Sequence, residues 1–449
     1  MNNPFKAYDV RGIFNKEFFA EDFFKIALAY SDLIKQKSCI AYDSRTSSPI
    51  LKESFINGFI SGGNDIIDLG MLPTPVSNYY ALNHKIECVM ITGSHTPKEY
   101  NGIKFFDKRG VVYNDRLKTI EKKYLESDFK RSNFEELGKK SEDNNAINEY
   151  IENIKSKIKL ERNLKVVLDH GNGTSGLVAP ELMKELGCKI INISLEPDGL
   201  FPNREPEPKV NNLSFLQKRV VEEKADFGCA FDGDADRSVF VDDSGRVIDG
   251  SKMTAIFAKH YLDKNKNAYI VASIDMSSVV KKVVEDNNGI IVWCPVGMKN
   301  IEKGLVDNKG MMAGEVSSHF YLNDFYPFSD GMLACAKMAQ LLSKNEKKFS
   351  DLINELPEYS IKHSKYSCIN HEKKFEIFEK IKKELKRNYE VNDCDGIKFF
   401  LNQTDWVLIR PSNTEPLIRL TVEASKQKEL DDLFNYFEDL IKKFINNEK

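Results

Sequence analysis

Three aspartates alternate along one glycine-containing segment of the chain: Asp232, Asp234 and Asp236. Carboxylates at this spacing repel one another, so they fit a site that holds a cation, and their hard oxygen atoms suit Mg²⁺ or Ca²⁺. An EF-hand loop needs glycine at its sixth position and glutamate at its twelfth, where this segment has Arg237 and Asp243. The segment therefore predicts a magnesium site, with an Asp-rich surface turn as the alternative.

Ser94 is a candidate nucleophile because it stands between Gly93 and His95 directly after an apolar run. It is not part of a Gly-x-Ser-x-Gly elbow, which argues against an esterase triad. A serine can carry a phosphoryl group if a metal and a cationic side chain offset the charge of the oxygens, and Lys104 follows closely enough to help. Taken alone, Ser94 would more often be a turn serine.

A further polar group combines a fixed-charge fork with three short hydrogen-bonding side chains: Arg410, Ser412, Asn413 and Thr414. Such a turn, with its backbone N–H groups, suits a phosphate dianion, and Arg419 would add a second charge. A solvated turn is the alternative.

Glu315 and Ser317 offer an acceptor and a donor/acceptor two residues apart. This pair suits two neighbouring sugar hydroxyls, although a plain polar turn would look the same.

One glycine-rich segment competes with this interpretation. The segment 171–176 matches Gly-x-Gly-x-x-Gly, follows a predicted strand at 165–168 and has Glu196 about 20 residues later, as a dinucleotide-binding fingerprint would. No hydride-transfer site accompanies it, so we favour a tight turn between a strand and a helix.

The elements that must position these groups are short apolar strands alternating with amphipathic helices, the pattern of an α/β fold. Four apolar runs lead directly into the polar segments: 88–91, 227–231, 311–313 and 406–409. Ligands of open α/β sheets bind at the carboxyl ends of the strands. Each candidate loop therefore lies where such a fold binds its ligand.

Breaks in the pattern suggest four domains. Two charged segments, Lys139–Asn145 and Lys344–Lys348, are predicted to be linkers or solvated loops, and a third break falls near Pro357. The expected domains are 1–142, 143–248, 249–356 and 357–449, each with one of the candidate loops.

Composition limits the classes of function. A net charge of -3 argues against a general nucleic-acid or anionic-membrane binder. No stretch approaches the ~20 apolar residues of a membrane span, and the N-terminus lacks the apolar run of a signal peptide. The eight cysteines are scattered without a Cys-x-x-Cys pair, which predicts buried free thiols in a reducing compartment. We expect a cytoplasmic protein.

Five segments in order along the chain resemble the α-D-phosphohexomutases, most closely the bacterial phosphomannomutase/phosphoglucomutase enzymes. They are residues 8–12 (Tyr-Asp-Val-Arg-Gly), 92–97 (Thr-Gly-Ser-His-Thr-Pro) with 100–104 (Tyr-Asn-Gly-Ile-Lys), 232–237, 314–319 and 410–414. The resemblance implies a heart-shaped, four-domain architecture around a central cleft. Three related mixed α/β domains would be followed by a smaller, mobile C-terminal helix-on-sheet domain.

The resemblance also implies roles for individual residues. Ser94 would be the phosphoserine, and it would complete the shell of one Mg²⁺ per chain with Asp232, Asp234 and Asp236. Charge stabilisation and acid/base chemistry would fall to Arg11, His95 and Lys104, with Arg237 as a further charge stabiliser. Sugar contacts would come from Glu315, Ser317 and His319. The non-reacting phosphate would be held by Arg410, Ser412, Asn413, Thr414 and Arg419.

The implied reaction is an isomerisation in which phosphoserine and a hexose 1,6-bisphosphate exchange phosphate between C1 and C6 of one sugar. The partners would be small hexose phosphates, with no nucleic acid or membrane; monomer and dimer stay open. If Glu315 and Ser317 contact the 3- and 4-hydroxyls, they cannot distinguish glucose from mannose, so both are expected substrates. Phosphoglucosamine mutase is the close alternative, although its sugar loop typically has Gln where Val316 stands.

Two positions depart from the pattern of close relatives. Met298 stands where a histidine often follows Gly297, and Asp275 stands near the position of a lysine. Lys299 could compensate. A metal-dependent phosphatase and a dinucleotide-binding protein remain the other hypotheses. A phosphatase must admit water, whereas a mutase must exclude it.

Overall fold

The computed structural model describes residues 3–6, 8–113, 115–412 and 415–446, apart from the side chain of His371. These residues form two compact units. The first runs to residue 253 and includes 317–352; the second comprises 254–316 and everything from 353 onward.

The first unit contains two mixed sheets. The six-stranded sheet has the order β1-β5-β4-β2-β3-β6. Its strands are β1 (Val10–Ile13), β2 (Ser38–Tyr42), β3 (Ile66–Met71), β4 (Glu87–Ile91), β5 (Tyr100–Phe106) and β6 (Lys140–Glu142). Its helices are α1 (Ala20–Ile34), α2 (Ser48–Ser61), α3 (Thr74–His84) and α4 (Arg116–Glu126).

The second sheet of this unit has five strands in the order β11-β10-β9-β7-β8. They are β7 (Lys165–Asp169), β8 (Lys189–Ile193), β9 (Phe227–Phe231), β10 (Ser238–Asp242) and β11 (Val247–Ile248). Helices α5 (Ala146–Lys157), α6 (Ala179–Glu185) and α7 (Ser214–Glu222) accompany the sheet. Later in the chain, β15 (Phe320–Leu322) and α11 (Gly331–Ser343) belong to the same unit.

The second unit contains a parallel set of strands in the order β13-β12-β14 and an antiparallel sheet in the order β16-β19-β18-β17. The parallel strands are β12 (Tyr269–Ser273), β13 (Ile290–Cys294) and β14 (Met312–Gly314). The antiparallel strands are β16 (Ser360–Ser367), β17 (Ile397–Phe400), β18 (Trp406–Pro411) and β19 (Leu417–Ala424). Its helices are α9 (Ser278–Asp286), α10 (Met298–Asp307), α13 (His371–Leu385) and α14 (Gln427–Asn446). Helices α8 (Gly250–Leu262) and α12 (Phe349–Asn354) each contain residues of both units.

The three α/β sheets share one strand order. Each contains a set of three parallel strands in which the strand that comes first in the chain pairs with the other two: β2 with β3 and β4, β7 with β8 and β9, β12 with β13 and β14. Helices connect these strands, as parallel crossovers require. The candidate loops that contain Ser94, Asp232 and Glu315 all follow the third strand of their set. The apolar runs that lead into polar loops therefore reflect one strand topology that occurs three times in the chain.

Burial explains the apolar runs. Every residue of β4 and of β9 is buried, because these inner strands of their sheets are covered on both faces and have no solvent side. The predicted strand at 227–231 is confirmed as β9. In the last sheet, α13 and α14 contribute to one apolar core together with β16 to β19.

Two sequence predictions are wrong in detail. The charged segment Lys139–Asn145 is more than a solvated loop, because Lys140–Glu142 pairs in parallel with β3. Backbone pairing at a sheet edge does not need apolar side chains. Arg410 was expected in a loop after the strand but lies within β18, opposite Arg419 of β19.

All eight cysteines are free, as predicted, and seven are buried; Cys394 is exposed. Within the described part of the chain, no helix combines the length and the apolar character that crossing a membrane requires.

Lys398 is an unusual buried cation in the second unit. Its ammonium group donates to the carbonyl oxygens of Ile274 at 2.8 Å and Met276 at 3.0 Å. It also lies 3.8 Å from the ring centroid of Trp406 and 4.3 Å from that of Trp293, the only two tryptophans of the chain. Burial lowers the pKa of Lys398 to about 7, although carboxylates including Glu423 favour its charged form.

This pKa predicts a pH-dependent contribution to stability. The folded-state pKa lies below that of an unfolded lysine, so the unfolded chain binds more protons between pH ~7 and pH ~10. Between pH 7 and pH 9, the free energy of unfolding of wild type should therefore rise by about 2 kcal/mol relative to that of Lys398→Met. Urea unfolding followed by tryptophan fluorescence measures this difference. A difference that stays constant with pH would contradict the assignment.

Candidate active site

The Ser94 loop is held from beneath by one buried guanidinium. Arg45 donates to the carbonyl oxygens of Ser94 at 2.9 Å, Thr96 at 2.5 Å, Pro97 at 2.6 Å and Tyr100 at 2.9 Å. Ser94 itself is 2% exposed and has a φ of +50°, a conformation that non-glycine residues rarely adopt. Such backbone strain persists only where the surroundings impose it, and the Arg45 contacts do so here.

Asp43 completes the support of this loop. Its carboxylate accepts hydrogen bonds from Thr92 Oγ1 at 2.8 Å, from the Gly93 amide at 3.0 Å and from Arg45 Nε at 3.1 Å. A Cβ atom on Gly93 would overlap the Arg45 guanidinium, so only glycine allows this approach. Both Asp43 and Arg45 are about 1% exposed. The pair is buried and hydrogen-bonded, which is how a buried ion pair avoids a net penalty.

The three aspartates after β9 form a compact carboxylate cluster. Each offers one oxygen, and these atoms lie within 4.8 Å of one another. All three side chains are buried. Asp234 Oδ2 accepts from Thr74 Oγ1 at 2.7 Å and from Lys104 Nζ at 3.0 Å, whereas Asp234 Oδ1 is buried with no hydrogen-bond partner among the described residues. An unpartnered buried carboxylate oxygen in such a cluster fits a cation ligand.

The pKa values of Asp232 and Asp236 are shifted in opposite directions. Burial and the charges of Asp236 and Asp234 raise the pKa of Asp232 well above its usual range. Burial also opposes ionisation of Asp236, but Lys104 and His319 outweigh it and hold the pKa of Asp236 well below its usual range. Lys104 donates to Asp236 at 2.7 Å, and its own pKa is raised because the two carboxylates outweigh its burial. Lys104 is therefore a fixed ammonium that offsets only part of the negative charge.

The serine loop and the aspartate loop meet in the first unit. Ser94 Oγ lies 3.3 Å from Asp232 Oδ2. A Cβ atom added to Gly233 would lie only 2.7 Å from the Ser94 carbonyl oxygen, so the two backbones are in close contact. A phosphoryl group on Ser94 would thus lie beside the carboxylate cluster and Lys104, where a metal ion is needed to balance the charge.

Arg237 links three further candidate residues in this unit. Its Nη2 lies 2.9 Å from His95 Nδ1 and its Nε lies 3.2 Å from His319 Nε2. His319 Nδ1 lies 2.9 Å from Ser317 Oγ. His95 Nδ1 is also 3.4 Å from Ser94 Oγ, and burial together with Arg237 lowers the pKa of His95 well below its usual range.

Arg11 lies on β1 and is close enough to His95 to influence its pKa. Its strand pairs with β5, which carries Lys104, and its guanidinium forms an ion pair with Asp9 at 2.6 Å. The positive charge of Arg11 contributes to lowering the pKa of His95. The first unit therefore brings together the predicted nucleophile, the predicted metal ligands and the predicted charge stabilisers.

The other predicted groups belong to the second unit, apart from Asn413 and Thr414, which lie outside the described residues. Glu315 follows β14 and accepts from the Gly297 amide at 3.0 Å. Arg410 forms an ion pair with Asp395 at 2.6 Å. Ser412 Oγ is 3.5 Å from Arg419 Nη2. From α13, the buried Lys374 donates to the Ser412 carbonyl oxygen at 2.6 Å and thereby supports this segment.

The two departures noted in the sequence take structural positions. Met298 begins α10 directly after Gly297, which has a φ of +116°. Asp275 accepts from Ser273 Oγ at 2.6 Å, and burial raises its pKa. Neither Met298 nor Asp275 supplies the imidazole or the ammonium group that the pattern has at these positions.

The glycine-rich segment 171–176 packs against protein. A Cβ atom on Gly171 would overlap the Arg204 guanidinium, and one on Gly173 would meet the Gly233 backbone at 2.8 Å. The amide of Thr174 donates to the Gly233 carbonyl oxygen at 3.1 Å. These glycines allow close packing on the aspartate loop, which accounts for them without a dinucleotide.

The sequence interpretation missed Arg45, Asp43 and Thr74. Asp43 and Arg45 directly follow β2, which is next to β4 in the sheet, so the rule that places ligands at the carboxyl ends of strands could have indicated them. Thr74 begins α3, and no local pattern connects it with Asp234, 160 residues away.

Comparison with known proteins gives the same architecture. Four profiles of one family match consecutive parts of the chain: phosphoglucomutase/phosphomannomutase alpha/beta/alpha domain I at residues 2–131, domain II at 148–245, domain III at 249–359 and the C-terminal domain at 369–440. A phosphoglucomutase/phosphomannomutase from Thermococcus kodakarensis is 35% identical over 441 residues, which cover 95% of this chain and 96% of the relative.

The chain belongs to the α-D-phosphohexomutase family. The predicted family and four-domain α/β fold are thus confirmed, and the chain is a phosphohexomutase, an isomerase. A probable phosphoglucosamine mutase from Methanosarcina acetivorans is 35% identical over 98% of this chain and 99% of the relative. The crystal structure of a phosphoglucomutase/phosphomannomutase family protein from Burkholderia thailandensis matches with a TM-score of 0.90 at 29% identity, covering 99% of this chain and 98% of that one.

We predict that Mg²⁺ stabilises this phosphohexomutase through the aspartate cluster. With free Mg²⁺ about 100-fold above its Kd, binding should add about 2–3 kcal/mol to the free energy of unfolding. Asp232→Asn should remove this gain, yet in the presence of a chelator it should be at least as stable as wild type, because a repelled charge is gone. Calorimetric unfolding with Mg²⁺ and with chelator measures both effects.

The control is Asp286→Asn, which removes an exposed carboxylate paired with Lys282 on α9. It should respond to Mg²⁺ as wild type does. An equal Mg²⁺ effect in wild type and Asp232→Asn would contradict the metal assignment.

Proposed function

We propose that this phosphohexomutase interconverts the 1-phosphate and 6-phosphate of hexoses through a phosphoryl group carried on Ser94. The observation that carries the proposal is the placement of Ser94 Oγ, 3.3 Å from Asp232 in a buried cluster that also contains Lys104. Phosphoryl transfer depends mainly on positioning and on neutralising the oxygens, and this arrangement supports both.

The proposed reaction has two halves. In the first, the P–O bond to Ser94 breaks as a P–O bond to a sugar hydroxyl forms, and the hydroxyl proton leaves to a base. The product is a hexose 1,6-bisphosphate. The sugar then turns over, and its other phosphate returns to Ser94, so that the hexose monophosphate leaves with its phosphate at the other position.

Within the first unit, each candidate residue has a proposed part. Mg²⁺ bound by Asp232, Asp234 and Asp236 would supply positive charge beside the transferred oxygens. Lys104 would offset the carboxylates on the protein side. We assign His95, whose Nδ1 lies 3.4 Å from Ser94 Oγ and 2.9 Å from Arg237 Nη2, to charge stabilisation and proton transfer beside the nucleophile. We assign Arg11 and Arg237 to charge stabilisation.

The second unit would recognise the sugar and the phosphate that does not react. We assign the sugar hydroxyls to Glu315. In the first unit, Ser317 and His319 keep the part in sugar binding that the sequence predicts. The non-reacting phosphate is assigned to Arg410, Ser412 and Arg419, together with Asn413 and Thr414, which are predicted from the sequence. A clamp on the distant phosphate would let one site accept both orientations of the bisphosphate.

A mutase is favoured over a phosphatase by the burial of the nucleophile. Ser94 is 2% exposed, and Arg45 restrains its loop by donating to the carbonyl oxygens of Ser94 and Thr96. A phosphatase would need to admit water to the phosphoserine, whereas a mutase must return the group to the sugar.

We propose mannose phosphate and glucose phosphate as substrates, because carboxylate and hydroxyl contacts to the 3- and 4-hydroxyls would not distinguish the two sugars at C2. Glucosamine phosphate is the second candidate. It is favoured by the similarity to the probable phosphoglucosamine mutase of Methanosarcina acetivorans, which is as similar in sequence as the Thermococcus kodakarensis enzyme.

A ³¹P NMR time course tests both the reaction and the sugar. Glucose 1-phosphate, mannose 1-phosphate and glucosamine 1-phosphate are supplied separately with Mg²⁺ and a trace of the matching 1,6-bisphosphate. Wild type should produce the 6-phosphate from the first two at rates within about tenfold of each other, a difference of ~1.4 kcal/mol in the barrier. Faster conversion of glucosamine phosphate would establish the second candidate.

The matched variants are Ser94→Ala and Ser156→Ala. Among the residues that the structure describes, the Ser156 hydroxyl bonds only to the Asn153 carbonyl oxygen of its own helix. Ser94→Ala should lose conversion by at least about a thousandfold, as expected when a nucleophile is removed, while Ser156→Ala should behave as wild type. Release of free phosphate without the 6-phosphate would show a phosphatase. Turnover by Ser94→Ala at the wild-type rate would overturn the proposal.

A further inference from the structure

Two consecutive backbone amides in the second unit each donate to a carboxylate. The amide of Gly297 donates to Glu315 Oε1 at 3.0 Å, and the amide of Val296 donates to Asp395 Oδ2 at 3.1 Å. The same Asp395 oxygen accepts from Arg410 Nη1 at 2.6 Å. These three hydrogen bonds, together with the short stretch of backbone between the two amides, therefore join the residue assigned to the sugar with the arginine assigned to the phosphate.

The ion pair between Asp395 and Arg410 is largely removed from solvent. Their side chains are 16% and 11% exposed, respectively. A charge-assisted hydrogen bond of this kind is short and strong, and it restrains the position of the guanidinium. Of the five N–H groups of the Arg410 fork, the described residues accept a hydrogen bond only from Nη1.

The backbone next to Asp395 is fitted closely to Arg410. Gly396 has a φ of +83°, and a Cβ atom there would lie 2.5 Å from the Ile409 carbonyl oxygen and 2.9 Å from Arg410 Cβ. Only glycine can occupy this position without displacing β18. Strand β17 begins at the next residue and pairs with β18, so the sheet fixes Asp395 relative to Arg410.

We propose that Asp395 is a positioning residue for substrate binding, which orients the Arg410 guanidinium and keeps it in register with Glu315 through the Val296 and Gly297 amides. The inference rests on the function proposed above, because it takes Arg410 as a ligand of the non-reacting phosphate. Its physical basis is pre-organisation. An arginine already held in its binding orientation loses less side-chain entropy when the phosphate arrives.

The expected signature is a change in KM with little change in kcat. The phosphate held by Arg410 does not react, so losing its orientation weakens ground state and transition state alike. Asp395→Ala should raise KM for the preferred hexose phosphate on the order of tenfold or more and change kcat by less than about threefold. Asp395→Asn retains an acceptor for the Val296 amide and should have an intermediate effect.

Asp393→Asn is the matched control. Asp393 lies two residues away, is 42% exposed and pairs with Lys382 at 3.1 Å and Lys386 at 2.7 Å. It has no contact with Arg410, so this variant should keep the wild-type KM. Urea unfolding of every variant verifies that the fold is retained.

A double-mutant cycle tests whether Asp395 acts through Arg410. In an Arg410→Ala background, Asp395→Ala should change KM by less than about twofold, because the group it orients is absent. An equal loss in both backgrounds would overturn the inference, as would a KM of Asp395→Ala within twofold of wild type. A KM of Asp395→Ala below that of wild type would also overturn it, since Asp395 would then compete with the phosphate for Arg410.

Calorimetric binding of the same hexose phosphate to the same variants separates this inference from the proposed function. If wild type binds the ligand without converting it, the proposed function fails, and the Kd values still test the role of Asp395 by the same criteria. If wild type neither binds nor converts glucose, mannose or glucosamine phosphate, both fail.

Discussion

The close packing of three buried carboxylates is the constraint on which the arrangement around Ser94 depends. Their ligand oxygens lie within 4.8 Å of one another, and Lys104 alone cannot offset them. The surrounding residues therefore supply positive charge and hydrogen-bond donors from several elements: Thr74 from α3, Lys104 from β5 and Arg237 after the aspartates. A phosphoryl group on Ser94 would add more negative charge, so a divalent cation is the component that makes this chemistry electrostatically feasible.

The topology explains how such a site is built from distant parts of the sequence. In each of the three α/β sets, the third strand lies beside the first and ends in a polar loop. The serine loop and the aspartate loop thus leave equivalent strands of two different sheets, and Ser94 and Asp232 meet although 138 residues separate them. The third copy of this arrangement places Glu315 at the end of β14. The same strand order therefore carries a different set of chemical groups in the loop after the third strand of each set.

Much of this was accessible from the sequence, because the signals were local. The apolar run 227–231 and the alternating aspartates after it predict a strand followed by a metal site, and the structure contains both features. Arg45 was missed because its partners are backbone carbonyl oxygens about 50 residues away, and a sequence does not show which carbonyls a guanidinium contacts. Arg410 was placed in a loop, since the pairing that extends β18 to Pro411 comes from β19 and not from its own neighbours. Asn413 and Thr414 lie outside the described residues, so their part in phosphate binding stays a prediction.

The central claim is that Ser94 carries the phosphoryl group that the reaction transfers. The most direct measurement is tandem mass spectrometry of the peptide containing Ser94, after incubation with glucose 1,6-bisphosphate and Mg²⁺ and again after addition of excess glucose 1-phosphate. If the bisphosphate carries ¹⁸O-labelled phosphoryl groups, we expect one labelled phosphoryl group on Ser94 after the first step. After the second step, an unlabelled group from glucose 1-phosphate should replace it on Ser94, and the label should appear in the sugar phosphates without release of free phosphate. An unmodified Ser94, or a phosphoryl group on a different residue that is passed to the sugar, would contradict the account.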